Sequence, residues 1–157
     1  MSGVHATARV NRILEIGCGH YSTALLRAFA IGAGAEHRVL ESNKKWARVV
    51  SRSLDVDVEY FKEPTLPSDC FADWDVVFID SRLVYLRKDY AVDLRAYSKL
   101  ILLHDSEPKQ DYGYQYSKIK HIWKHAVNFS AYTPHTLALT DDDDVADVLD
   151  RVKSEPK

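Results

Sequence analysis

Apolar positions follow two spacings along the chain. Dense short runs at 12–16 (RILEI), 37–41 (HRVLE), 75–80 (DVVFID) and 99–105 (KLILLHD) are closed by glycine or by acids. That is the pattern of strands buried on both faces of a parallel sheet. Between them, apolar residues recur every three or four positions. Helices are predicted over 20–31 (Leu25, Leu26, Phe29, Ala30), 44–54 (Trp46, Val49, Val50), 86–97 (Tyr90, Leu94, Tyr97) and 112–127. Gly32 and Gly34 stop the first of these. Residues 56–61 alternate as a third strand, and 62–74, with Pro64 and Pro67, reads as a loop. Two short strands, 129–132 and 136–139, flank Thr133-Pro134 as a hairpin.

Strands alternating with helices predict an α/β fold. It is an open, mainly parallel twisted sheet with helices on both faces and an antiparallel terminal hairpin. The expected division is one cofactor-binding domain over 1–140 and an acidic, polar C-terminal tail over 141–157. The four acids at 141–144 read as a solvated run followed by a weak helical pattern.

Composition narrows the class. The 157 residues suit one domain, and 46% hydrophobic with 28% charged residues is ordinary globular usage. A net charge of −2 lacks the basic surplus of a nucleic-acid binder. Cys18 and Cys70 are expected as free thiols in a reducing compartment. There is no signal-peptide pattern and no run of membrane-spanning length, so the expected location is cytoplasmic, with no membrane partner.

The chemistry begins at EIGCGHYST (15–23), where the first strand turns into the first helix. Glycine there permits positive φ and a close approach to the backbone. Ligands of open parallel sheets sit at the carboxyl ends of the strands, beside this turn. Ser22 stands where the dinucleotide fingerprint needs its third glycine, and no P-loop ending is present. Glu15 puts a negative charge where a diphosphate would be repelled and favours a ligand with an ammonium group. Glu41 closes the second strand, where a carboxylate accepts hydrogen bonds from ribose hydroxyls and disfavours a 2′-phosphate.

In order, EIGCGHYST, VLESN, DVVFIDS and LILLHDS resemble the motifs of class I S-adenosylmethionine-dependent methyltransferases, over roughly residues 12–140. The resemblance implies S-adenosylmethionine as cofactor and a strand order of 3-2-1-4-5-7-6. Cofactor contacts would come from Glu15, Gly17, Cys18, Gly19, His20, Ser22, Glu41, Ser42 and Asp80. Gly17 and Gly19 would frame the methionine part, and Glu41 would bind the ribose. Ser42, Phe61 and Lys62 would lie beside the adenine. Glu15 would order the turn and reach the methionine amino group. No Asn-Pro-Pro-Tyr type motif follows the fourth strand, which speaks against methylation of exocyclic base or glutamine nitrogens.

Asp80 ends the fourth strand and Asp105 the fifth, and His104 precedes Asp105. These three are the candidate catalytic residues. His104 or Asp80 would take the proton of a hydroxyl acceptor. Two strand-end carboxylates also suit a divalent cation. Some small-molecule O-methyltransferases resemble this, but Ser106 stands where they carry a further ligand, so metal is not favoured. His121 and His125, four apart on a predicted helix, lack a third ligand. Tyr112, Tyr114 and Tyr116 read either as an acceptor rim or as packing. The function expected is O-methylation of a small-molecule or other hydroxyl acceptor. The alternatives are an inactive cofactor-binding scaffold and an NAD-binding oxidoreductase. A macromolecular acceptor and a homo-oligomer stay open.

Overall fold

The computed structural model describes residues 9–154. The dense apolar runs become strands: β1 (Arg12–Ile16), β2 (Glu36–Glu41), β3 (Glu59–Tyr60), β4 (Trp74–Ile79) and β5 (Ser98–His104). β6 (His125–Phe129) and β7 (Thr136–Thr140) form the terminal hairpin. The seven-stranded sheet has the order β3-β2-β1-β4-β5-β7-β6, as the resemblance implies. β1 to β5 are parallel, and β7 runs antiparallel to both neighbours. The carboxyl ends of β1, β2, β4 and β5 therefore share one edge.

Alternation along the strands sends side chains to two faces. Leu14 and Ile16, Val77 and Ile79, Ile101 and Leu103, and Leu137 and Leu139 form the larger core cluster. It is covered by α3 (Arg87–Leu94), through Tyr90, Ala91 and Leu94, and by Tyr116, Ile119 and Trp123. The opposite face carries α1 (Ser22–Ala33), α2 (Lys44–Leu54) and α5 (Asp143–Ser154), with smaller clusters around Val39 and Val50 and around Ala138 and Leu149. α2 starts at Asn43, whose side chain accepts from the Lys45 and Trp46 amides, satisfying two otherwise orphan donors. α1 ends at Gly34, in the left-handed region at φ 66°.

Several boundaries differ from the sequence expectation. Only Glu59 and Tyr60 of the predicted third strand pair with β2. Val56 and Val58 instead pack against the α2 side of the sheet. The helix predicted over 86–97 is α3 with a 3₁₀ turn at each end. The long helix predicted over 112–127 does not form. Residues Asp111–Tyr114 make one turn (α4), Gln115 takes φ 57°, two 3₁₀ turns follow, and β6 begins at His125. Gly113 weakens the helix, and the Asp111 side chain accepts the Ser117 amide at 2.9 Å in competition with it. The apolar spacing at Tyr116, Ile119 and Trp123 is real, but 3₁₀ turns produce it. His121 and His125 therefore share no helix.

The acidic run is also more than solvated. Asp142 caps α5 by accepting from the Asp144 and Val145 amides at 2.9 and 3.2 Å. Asp141 binds Arg95 Nε at 2.7 Å and the Lys124 amide at 2.8 Å. Asp143 meets His125 at 2.8 Å. α5 buries Ala146 and Leu149, so residues 143–154 continue the fold past position 140. Among the described residues no helix is long and apolar enough to cross a membrane.

Candidate functional site

The turn after β1 is held from within the protein. Gly17 has φ 90°, and a Cβ there would sit 2.2 Å from the Asp80 carbonyl oxygen and 2.7 Å from the Ser81 nitrogen. The exit of β4 thus passes against the glycine backbone, with Asp80 N donating to Ile16 O at 2.8 Å. Glu15 is fully buried. Its Oε1 accepts from Ser22 Oγ at 2.8 Å and Thr23 Oγ1 at 2.9 Å, and its Oε2 lies 3.1 Å from His37 Nε2. Thr23 Oγ1 in turn accepts the Gly19 amide at 3.1 Å. Glu15 and Ser22 thus take part in ordering the turn.

Glu41 closes β2 and is 4% exposed. Oε2 accepts the Cys18 amide at 3.1 Å and Oε1 the Asn43 amide at 2.6 Å. The Cys18 thiol also donates to Oε2 at 3.7 Å; a carboxylate has about four lone-pair sites, so Oε1 keeps capacity for another donor. Burial, then the carboxylates of Glu41 and Glu15, push the Cys18 thiol up to about 12, so it stays protonated. His20 turns aside: its ring meets Trp46 edge-on at 5.1 Å, and Nδ1 lies 3.2 Å from Ser53 Oγ. Near Glu41 and Ser42 lies Glu63, whose Oε1 is buried with no partner. Ser81 Oγ and Tyr90 Oη are also buried and unpartnered. Buried polar atoms without partners are rare in folded proteins and suit a ligand or water.

At the ends of β4 and β5, Asp80, His104 and Asp105 come together, each half-buried, with ligand-type atoms within 4.8 Å of one another. His104 Nδ1 is 3.2 Å from Asp105 Oδ1 and 3.5 Å from Asp80 Oδ1. Neither contact has hydrogen-bond alignment, so both are charge contacts. The imidazole also leans on Phe78, centroids 5.9 Å apart. The Asp80 carboxylate, with help from Asp105, outweighs burial and holds His104 above its ordinary value. Burial pushes Asp105 up, but His104, Arg87 and Tyr114 together bring it below the usual carboxylate range.

Arg87 joins these groups; from the sequence it stands out only as the end of the stretch 81–87 that follows Asp80 and could contact an acceptor, not as a site residue. It opens α3 and is 5% exposed. Nη2 lies 2.7 Å from Asp80 Oδ1 and Nη1 3.1 Å from Asp105 Oδ2. Nε donates to Ser81 O at 2.8 Å and Nη1 to His104 O at 3.2 Å. Tyr114 stacks near the guanidinium at 4.8 Å and donates to Asp105 at 3.1 Å. Tyr116 donates to His104 O at 3.0 Å. Tyr114 and Tyr116 therefore build the site, whereas Tyr112 is exposed. Thr23 and Glu63 were missed as well. The only signal for Arg87 was a cation seven residues after the strand-end Asp80, on the first turn of a helix.

No protein-family model matches the chain, and no characterised protein matches it by sequence. Solved structures do. The delta-N METTL16 MTase domain superposes with TM-score 0.59 at 11% identity, covering 87% of this chain and 76% of that one. An O-methyltransferase from Bacillus cereus in complex with SAH gives 0.57 at 19% identity, covering 83% and 74%. The O-methyltransferase TomG from Streptomyces achromogenes, in complex with SAM, gives 0.58 at 18% identity, covering 85% and 74%. The fold is that of the class I S-adenosylmethionine-dependent methyltransferases.

Proposed function

We propose that this chain is an S-adenosylmethionine-dependent methyltransferase acting on a hydroxyl group, with a small molecule as acceptor. One observation carries the reading: Asp80, His104 and Asp105 converge on the sheet edge that also holds the glycine turn and the buried Glu41. The residues present suit the cofactor. Glu41 Oε1 has spare acceptor capacity for a ribose hydroxyl. Unpartnered Glu63 Oε1 and Ser81 Oγ offer further bonds near it. Gly19 leaves the turn open, since a Cβ there would meet only Ser22 Oγ at 3.2 Å. When bound, S-adenosylmethionine supplies a methyl group on a positively charged sulfur.

With the cofactor bound as methyl donor, His104 would take the proton of the acceptor hydroxyl. The resulting imidazolium is favoured by Asp80 and Asp105. Positioning supplies much of the remaining rate. Because His104 must start neutral and its pKa is raised, turnover climbs with pH above the ordinary value of about 6.5.

Calorimetric titration with S-adenosylmethionine, S-adenosylhomocysteine and NADH, followed by methyl incorporation into a panel of hydroxyl compounds, tests this. Both adenosyl ligands bind and NADH does not. Glu41→Gln weakens binding about 10–100-fold, the worth of a charged hydrogen bond. His104→Gln keeps binding and loses about 10²–10⁴ in turnover. Failure of a folded chain to bind either adenosyl ligand rejects the reading. NADH binding alone favours the oxidoreductase, and adenosyl binding without turnover on any acceptor favours a scaffold.

A further inference from the structure

Arg87 is the only lysine or arginine that is buried among the described residues. Burying a guanidinium costs several kcal/mol unless charge and hydrogen bonds compensate. Here the compensation is unusually complete. Two carboxylates, from Asp80 and Asp105, take Nη2 and Nη1 at 2.7 and 3.1 Å. Two backbone carbonyls, of Ser81 and His104, take Nε and Nη1. An aromatic ring lies 4.8 Å from Cζ. All four acceptors sit at the ends of β4 and β5. The same two carboxylates, with His104, are the group whose ligand atoms lie within 4.8 Å of one another. That is a donor set of the size a divalent cation takes.

We propose that Arg87 is the positioning residue of this site: a fixed internal cation that stands where a divalent ion would otherwise be held, and that sets Asp80 and Asp105 on either side of His104. It acts through the carboxylates and touches no substrate. A planar fork suits this better than a metal where direction matters, because its bonds to the two carboxylates and two carbonyls fix their relative orientation. The inference deepens the proposed function, but its main readout does not depend on that reading.

The test uses the full chain, its Arg87→Ala and Arg87→Lys variants, and Mn²⁺ followed by electron paramagnetic resonance. Wild type shows only the weak surface binding that Asp105→Asn also shows. Arg87→Ala acquires one Mn²⁺ bound at least tenfold more tightly, lost again in Arg87→Ala/Asp105→Asn. Arg87→Lys stays like wild type, since the ammonium keeps the charge. Methylguanidine restores turnover of Arg87→Ala toward wild type and competes with Mn²⁺. Tight Mn²⁺ binding to wild type that Asp105→Asn removes overturns the proposal, and so does an Arg87→Ala protein that folds, binds no Mn²⁺ and is not rescued. If Arg87→Ala does not fold, the comparison of wild type with Asp105→Asn still decides. If no ligand or acceptor is found, the Mn²⁺ arms stand apart from that failure.

Discussion

Gly17 shows how one position can be set by two demands. Its φ of 90° excludes most side chains, and the Asp80 carbonyl lies where a Cβ would go. Gly17→Ala therefore forces β1 and β4 apart at their functional ends. Strained backbone and overpacking each cost about 1–3 kcal/mol, so the expected loss is about 3–5 kcal/mol in urea unfolding, with adenosyl-ligand binding lost at the same time. A loss under about 1 kcal/mol would mean that the β4 exit shifts freely. Gly17 was legible in the sequence as a turn, but its neighbour was not. The expectation there was an approach by ligand; the structure shows an approach by backbone. Glu15 is similar. Its place in the motif could be read from the residues, while its partners Thr23 and His37 became known only on folding.

Elements with strong patterns were readable to within a residue or two. β1, β2, α2, β4 and β5 have dense or amphipathic sequences, and their ends are marked by glycine, acids or Asn43. Residues 111–129 were not readable, because helix and 3₁₀ turns place apolar residues at nearly the same spacing. What separates them is a tertiary bond, the Tyr116 hydroxyl on His104 O. α5 was under-read for the opposite reason. Its short apolar stripe gains value only from the β6–β7 surface beneath it, where Leu149 meets Val127 and Ala138. Leu149→Ala should thus cost about 2–4 kcal/mol in denaturant unfolding. A cost near zero would show that α5 is dispensable to the sheet.

On the scale of the whole molecule, carboxylates tie distant segments together. Asp75 accepts the Asn11 and Arg12 amides and Lys99 Nζ, joining the starts of β1, β4 and β5. Burial pushes Asp75 up, but these partners bring it below its ordinary value. Asp105, Asp111 and Asp141 are lowered too. A lowered carboxylate contributes stability above its unfolded pKa of about 3.9 and loses it as pH falls through the folded value. His104, raised, does the reverse: its contribution is complete below about 6.5 and fades as pH rises through the folded value. Both contributions coexist between about pH 4 and 6.5. Urea midpoints should fall on the acid side of that window, less steeply in Asp75→Asn. A midpoint that stays flat from about pH 6 down to pH 3 would contradict the coupling.

By itself, the sequence determined the alternation of strands and helices, the strand-end positions of Glu41, Asp80 and Asp105, and the turn at Gly17. Each is a local property: buried strands must be apolar, and they must stop at residues that tolerate a turn or water. The tertiary structure alone decided that Arg87 folds back between two strand ends, that Glu15 meets Thr23 and His37, and that Tyr114 and Tyr116 join the site. Each of these depends on a partner distant in sequence or on the fold of a loop. A charge finds such partners only after the sheet has brought its strand ends together.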